Sequence, residues 1–346
     1  MKRFILILVL IVLVGIPVTS LDWDSYQTGF TEFAKSVANA LPFNTSVGLN
    51  WSDAYIGPFP DFGIGLTVGA TLIPYDGINT VAGMLGIPDL AGTIGVPQME
   101  KWGVPLPAYT AEARLGGFVL PFDAGIKVGY LWPEALTLLP PQWSNLSAEY
   151  LLIGGDVRLA LLEDQGFLPA LSIGGGYNYM KGKVAFAGIT GVDEEMPLAP
   201  ILPDYVIRVQ DPAVAFEWQA NVVDLKAQAS KKLLVFTVYG GAGGSLSLLS
   251  TAGGGLDSSV ELSTDGGSTW DPITPAQIAD IEAAMGESLD VSLDGFTVTA
   301  SKANGWGFRA FAGLSVDLWL LHLDVCGMYN FTSQSLGANV NLRVQM

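Results

Sequence analysis

Charge is scarce in this chain. Asp, Glu, Lys and Arg make up 14% of its 346 residues, about half the share of an ordinary soluble domain. What charge there is leans acidic. A formal net charge of −17 repels nucleic acid and anionic headgroups, so no nucleic-acid partner is expected. Cysteine is nearly absent: Cys326 alone cannot close an intrachain disulfide and lies too far from the N-terminus to carry a lipid. His322 is the only histidine, and zinc needs several His or Cys ligands. Neither a metal nor any other cofactor is expected. Long apolar runs are also missing beyond the first twenty residues, which excludes a mature helical membrane domain.

Apolar residues are nonetheless abundant, at 50% of the chain with a mean hydropathy of +0.41, so a disordered chain is excluded. Glycine is frequent, with 42 residues. Residues 1–20 read as a signal peptide: Lys2-Arg3, an apolar core from Phe4 to Val14, then small residues ending at Ser20. Residues 21–44 have helical spacing, with Trp23, Tyr26, Phe30, Phe33, Val37 and Leu41 on one face and Pro42 closing it.

From there, two-residue alternation takes over. Phe62, Ile64, Leu66, Val68, Ala70 and Leu72 share one face against Gly63, Gly65, Thr67 and Gly69. The same pattern covers Phe122–Trp132, Trp306–Val316, Asp317–Phe331 and Leu336–Met346. Such a period belongs to strands with one apolar and one polar face. Further candidate strands are Ser46–Trp51, Tyr109–Val119, Ser147–Leu162, Phe167–Phe186, Val214–Ser230 and Lys232–Leu249. These make eleven. Single-chain bacterial barrels have an even number, so twelve are expected, within a range of 10–14.

Aromatic placement favours a membrane barrel over a soluble sandwich. Between Trp319 and Tyr329, ten residues at ~3.3 Å and a tilt of ~40° span about 25 Å, the height of an outer-membrane apolar band. Tyr130, Trp132, Trp306, Phe308 and Phe331 likewise mark strand ends, where rings suit the two membrane interfaces. The opposite face carries acid–x–base pairs, Glu112 with Arg114, Asp156 with Arg158 and Asp224 with Lys226. With Asp123, Lys127, Arg309, His322, Asp324, Asn339, Asn341 and Arg343, these are expected to line a lumen, satisfied by water and opposite charges.

Between the strands, Ser263-x-Asp265-x-Gly267-x-Thr269-Trp270 matches the Asp-box pattern of sialidase-type propellers. It occurs once where a propeller needs repeats, so it reads as a hairpin. Thr274-Pro275-Ala276-Gln277 is a capping box that opens a short helix, and Leu293–Phe296 reads as a tight hairpin. Residues 250–287 are therefore expected to form an ordered loop insert. A short helix is also expected at Asn79–Leu85. His322 shares a face with Asp324, and Ser315 and Asp317 lie on the neighbouring strand, so a barrel hydrolase using His322 stays open beside a luminal histidine paired with a carboxylate.

The whole mature chain resembles a bacterial outer-membrane β-barrel, on its signal peptide, its girdled strands and its C-terminal strand Leu336–Met346. That strand is similar to the assembly signal of such proteins, although it ends in Met346 and not Phe. The resemblance implies an all-β fold: a closed antiparallel transmembrane barrel over residues 45–346, in the outer membrane, with lipid and the barrel-insertion machinery as partners. The N-terminal helical segment followed by the barrel also resembles the layout of the FadL family of hydrophobic-substrate transporters, without that family's Asn-Pro-Ala motif. This layout implies a plug at residues 21–44, which on the residues alone reads equally as a periplasmic helix, and passive passage of small apolar or amphiphilic molecules, without covalent chemistry. A non-transporting surface protein that binds a partner through residues 250–287 is the alternative.

Overall fold

The structure is a computed structural model. It describes residues 23–57, 59–75, 79, 91–92, 98–117, 120–132, 134, 146–187, 196–197, 202–285, 296–301 and 305–346. The expected signal peptide, the expected hairpin at Leu293–Phe296 apart from Phe296 and nearly all of the expected helix Asn79–Leu85 lie outside the described residues.

Ten antiparallel strands close a barrel. In chain order they are β1 (Phe62–Ile73), β2 (Val104–Gly116), β3 (Phe122–Tyr130), β4 (Leu146–Leu162), β5 (Ala170–Ala187), β7 (Val206–Leu233), β8 (Phe236–Ser263), β11 (Gly305–Leu318), β12 (Leu321–Asn330) and β13 (Ser335–Gln345). Each pairs with the next, and β13 returns to β1 with Gly63 opposite Gln345 and Thr71 opposite Gly337. Among the described residues, three short strands lie outside the ring: β6 (Met196–Pro197), β9 (Asp271–Pro272) and β10 (Phe296–Ser301). Among the described residues, two short helices, α2 (Gln98–Trp102) and α3 (Pro275–Met285), accompany the long α1 (Trp23–Asn44).

The count is ten and not twelve because Ser46–Trp51 is no strand. Its alternation of Val47, Leu49 and Trp51 with Gly48, Asn50 and Ser52 is that of a strand, yet it pairs with no strand. Its residues are buried inside the barrel.

The ring has two unlike ends. At one, β7–β8 and β11–β12 turn in two residues, with Leu234 and Trp319 at positive φ. At the other, residues 74–103, 131–145, 188–205 and 264–304 make long connections. We call these the turn end and the loop end.

The outward face of the ring is apolar and open. Leu66 is 62% exposed, Ile126 68% and Val325 53%. A continuous belt of such residues on every strand is far beyond the apolar patch a water-soluble monomer tolerates. No helix among the described residues is long and apolar enough to cross a membrane. Along β5 the outward residues run Leu171, Ile173, Gly175, Tyr177, Tyr179, Lys181, Lys183, from apolar through two rings to charge. Rings mark the loop end elsewhere too: Tyr130 with Trp132 at 5.8 Å, Trp306 stacked on Phe308 at 6.2 Å, and Tyr329 perpendicular to Phe331 at 5.1 Å. Trp319 sits at the turn end, 91% exposed.

Wall height is uneven. β3, β12 and β13 have 9, 10 and 11 residues, whereas β7 and β8 have 28 each. The β7–β8 pair therefore rises past the ring at the loop end, and β10 adds to its edge along Thr251–Leu256. The expected insert 250–287 thus begins as a continuation of β8, which runs unbroken to Ser263.

Candidate functional site

The lumen is filled by the chain's own N-terminal segment. α1 enters from the loop end, its Phe30, Phe33, Val37 and Leu41 packed against Leu106, Leu152, Val184, Phe216 and Trp218 of the wall. Thr28, Thr31, Glu32 and Lys35 face solvent. The helix runs through Pro42 to Asn44. A proline at this position cannot donate to the carbonyl four residues back. The Ser250 hydroxyl supplies the missing donor, bonding Ala38 O at 2.5 Å. Two rings of the wall lie over glycines to make room for the helix. An added Cβ on Gly182 would stand 2.2 Å from the Trp218 ring, and one on Gly129 2.8 Å from Tyr150.

Below α1, residues 45–56 continue toward the turn end without secondary structure, almost all of them buried. Such a segment cannot satisfy its own amides, and buried backbone groups must be paired. The wall does this with charged and polar side chains. Lys127 Nζ donates to Thr45 O and Val47 O, both at 2.7 Å, and Lys226 Nζ donates to Leu49 O at 2.9 Å. Gln228 donates to Trp51 O at 2.7 Å and Arg158 to Asp53 O at 2.6 Å. In the other sense, Ser52 N–H donates to Asp324 at 3.2 Å, Ala54 N–H to the Ser230 hydroxyl at 2.9 Å and Ile56 N–H to Asp123 at 2.9 Å. Carbonyls at 45, 47, 49, 51 and 53 and amides at 52, 54 and 56 are thus held by the wall.

One side chain of the segment is anchored as firmly. Trp51 is fully buried. Its Nε1 donates to Glu112 at 2.6 Å, and its ring lies 5.1 Å from the Arg343 guanidinium and 5.6 Å from that of Arg114. Gly63 provides the floor, since a Cβ there would come within 2.7 Å of the ring. Arg343 also donates to Asp53 and to the Ser52 hydroxyl, at 2.9 and 2.8 Å.

The structure places every charged residue of the sequence-derived lumen set inside the barrel, Asp156 by its pairs with Arg114 and Lys226, together with Asn339 and Asn341. It pairs them differently from the acid–x–base reading. Ionic links run around the barrel from strand to strand. Arg114 bridges Asp123 and Asp156, Arg158 reaches Asp123, Lys226 reaches Asp156, Arg309 reaches Asp224, and Arg343 reaches Asp324. The reason is spacing: residues two apart on one strand are ~6.6 Å apart, whereas neighbouring strands are only ~4.8 Å apart. Such mutual pairing offsets the cost of burying the charges. Asn341 donates to Thr67 at 2.7 Å, and Asn339 lies 3.8 Å from the sulfur of Met328.

His322 follows the same rule. Its Nδ1 lies 2.8 Å from Asp317 on β11, and not beside Asp324 on its own strand. Ser315 and Thr237 also donate to Asp317, at 2.6 and 2.5 Å. The carboxylate is the hub of this cluster. A nucleophilic serine must instead give its proton to the histidine, so Ser315 is not activated by His322 in this arrangement.

The residues that sequence reading missed are those of 45–56, above all Trp51 and Asp53. Their signal was the odd count: eleven candidate strands in a fold that demands an even number.

No protein of curated function matches the sequence. Among solved structures, the chain is similar to the translocator domain of autotransporter NalP from Neisseria meningitidis, with 10% identity, a TM-score of 0.31, and 95% of this chain and 99% of that one covered. It is also similar to the transport unit of autotransporter AIDA-I from Escherichia coli, with 11% identity, a TM-score of 0.27 and coverages of 92% and 97%. OprB from Pseudomonas putida follows at 6% identity, a TM-score of 0.20 and coverages of 83% and 93%. A family profile described as Lsa36-like matches residues 143–346. That match takes in more than half of the chain, from β4 to the C-terminal strand, and the chain belongs to the Lsa36-like family.

Proposed function

We propose that the chain is a bacterial outer-membrane barrel held shut at rest by its own N-terminal segment, and that passage of small molecules depends on that segment leaving the lumen. The observation that carries this reading is the burial of residues 38–54 inside a closed ring, with wall side chains bonded to their backbone. By the usual orientation of such barrels, the short turns face the periplasm and the long connections the outside. Outer-membrane lipid and the barrel-insertion machinery are the partners this reading requires. An apolar cargo finds a matching surface only in the outer half of the lumen, against the residues that now pack on α1. The inner half is lined by paired charges, so an amphiphile with a polar head suits the whole path better than a hydrocarbon. The test is planar-bilayer conductance of the whole protein and of a variant lacking residues 23–56. The whole protein should be closed and the variant open; a variant as silent as the parent removes the gating claim.

A second reading is favoured by the loop end. There β7 and β8 carry β9 and α3 around a small core of Ile207, Leu262, Ile273 and Ile281. Asp265 fastens the turn through Ser263 and Thr269, and Arg208 lies 4.0 Å over Trp270. Hydrogen bonds, first that from the Thr269 amide, hold the Asp265 carboxyl down to about 2. This is a rigid outward platform, suited to binding a partner. Replacing residues 264–285 with a short turn should leave the barrel folded and abolish partner capture.

A further inference from the structure

We infer that the inner half of the lumen is a peptide-binding site that reads backbone, filled in the resting protein by residues 45–56 and able to take another unfolded polypeptide segment in their place. This rests on the reading that the N-terminal segment can leave.

The argument lies in what the wall touches. Donors from three strands take carbonyls at alternate positions of the segment, and acceptors take alternate amides. These groups are common to every peptide except at proline. Apolar solutes offer neither, and a simple ion offers no run of alternating donors and acceptors. The wall depends little on the segment for its charge balance, because Arg114, Arg158, Lys226, Arg309 and Arg343 already pair with wall carboxylates; Lys127 is the exception, bonded to the segment's carbonyls. An emptied site therefore keeps its donors and acceptors in place, bridged by water, ready for a second chain. Sequence enters at one point. The slot between Arg114 and Arg343, with Glu112 at its end, fits an indole. Two residues on, Arg343 takes a carboxylate. The ligand class is an irregular peptide carrying Trp-x-Asp, with tolerance at the positions around it.

The test starts from the whole folded chain. Residues 59–60, at the turn end, are replaced by a protease site, and the folded protein is cut there and stripped of its N-terminal piece by mild denaturant. Binding of a fluorescein-labelled peptide of residues 44–57 is followed by anisotropy. The native peptide should bind. A peptide shuffled everywhere except Trp51 and Asp53 should bind within about tenfold of it. One N-methylated at the positions of Ser52, Ala54 and Ile56 should bind about a hundredfold more weakly, having lost three charge-assisted or buried hydrogen bonds. No binding of the native peptide, or equal binding of the N-methylated one, overturns the inference. In the uncut protein, the amides of Ser52, Ala54 and Ile56 should exchange with deuterium as slowly as those of β1, and fast exchange overturns it as well. Conductance of the stripped barrel separates the two readings. An open barrel that ignores N-methylation keeps the gate and loses the peptide site. A silent barrel that binds peptide keeps the site and loses the gate.

Discussion

Trp51→Ala is the sharpest perturbation of the closed state. The ring is fully buried, and truncating a buried Trp to Ala typically costs about 3–5 kcal/mol. The change also removes the donor to Glu112 and the aromatic face beside two guanidiniums. Most of that loss falls on the seated segment and little on the barrel, because Glu112 keeps Thr110 as a donor at 2.7 Å and Arg114 and Arg343 keep their carboxylates. The equilibrium between seated and withdrawn segment should therefore shift by about two to three and a half decades. Single-channel recording reads this directly as open probability. Trp51→Phe keeps the ring and loses only the N–H, so its shift should be about one to two decades. Trp319→Ala removes a ring that is 91% exposed at the turn end and should leave open probability unchanged. If Trp51→Ala folds and opens no more often than Trp319→Ala, the indole is not what seats the segment, and the reasoning fails.

Ser250→Ala orphans Ala38 O inside the helix and should cost about 1–3 kcal/mol in urea unfolding. Pro42→Ala restores the helix's own donor to that carbonyl, so the double variant should recover most of the loss, and strict additivity would refute the substitution of Ser250 for a missing amide. Gly182→Ala drives a methyl to within 2.2 Å of Trp218. It should lower stability by about 1–3 kcal/mol and alter the near-ultraviolet dichroism of that ring. Gly327→Ala, whose nearest neighbour is 4.0 Å away, should do neither.

The barrel was legible in the sequence because its physics is local. Outward residues face one solvent and inward residues another, so alternation survives in each strand without knowledge of its partners. The girdle rings at Trp306, Tyr329 and Trp319 carry the same local signal of depth. Partnership was not legible. Asp317 meets His322 across a hairpin, and Arg114 meets Asp156 two strands away, distances set by register and barrel curvature. The segment 45–56 misled for a related reason. It is buried inside the barrel from Thr45 to Ser52, with Val47 and Trp51 packed on the wall, so its composition imitates a strand. The closure rule, an even count, showed that one strand was missed or false without showing which.

Charge balance in the lumen leads to the last prediction. Among the described residues, six cations line the wall: Arg114, Lys127, Arg158, Lys226, Arg309 and Arg343. Glu112, Asp123, Asp156, Asp224, Asp317 and Asp324 oppose them. The wall is therefore neutral even though the chain carries −17, so the acidic excess lies off the wall. An ion in the emptied lumen feels its near surroundings, since charges farther than ~10 Å are screened at 0.1 M salt. The barrel lacking residues 23–56 should thus conduct potassium and chloride about equally, with a reversal potential near zero in a tenfold KCl gradient. A perfectly selective pore would give ~59 mV. Arg158→Gln unbalances the wall by one charge and should move the potential toward cation selectivity, whereas Lys183→Gln, outside the belt, should not. Strong cation selectivity in the parent deletion would mean that the acidic loops at the mouth govern entry, and that the paired wall does not.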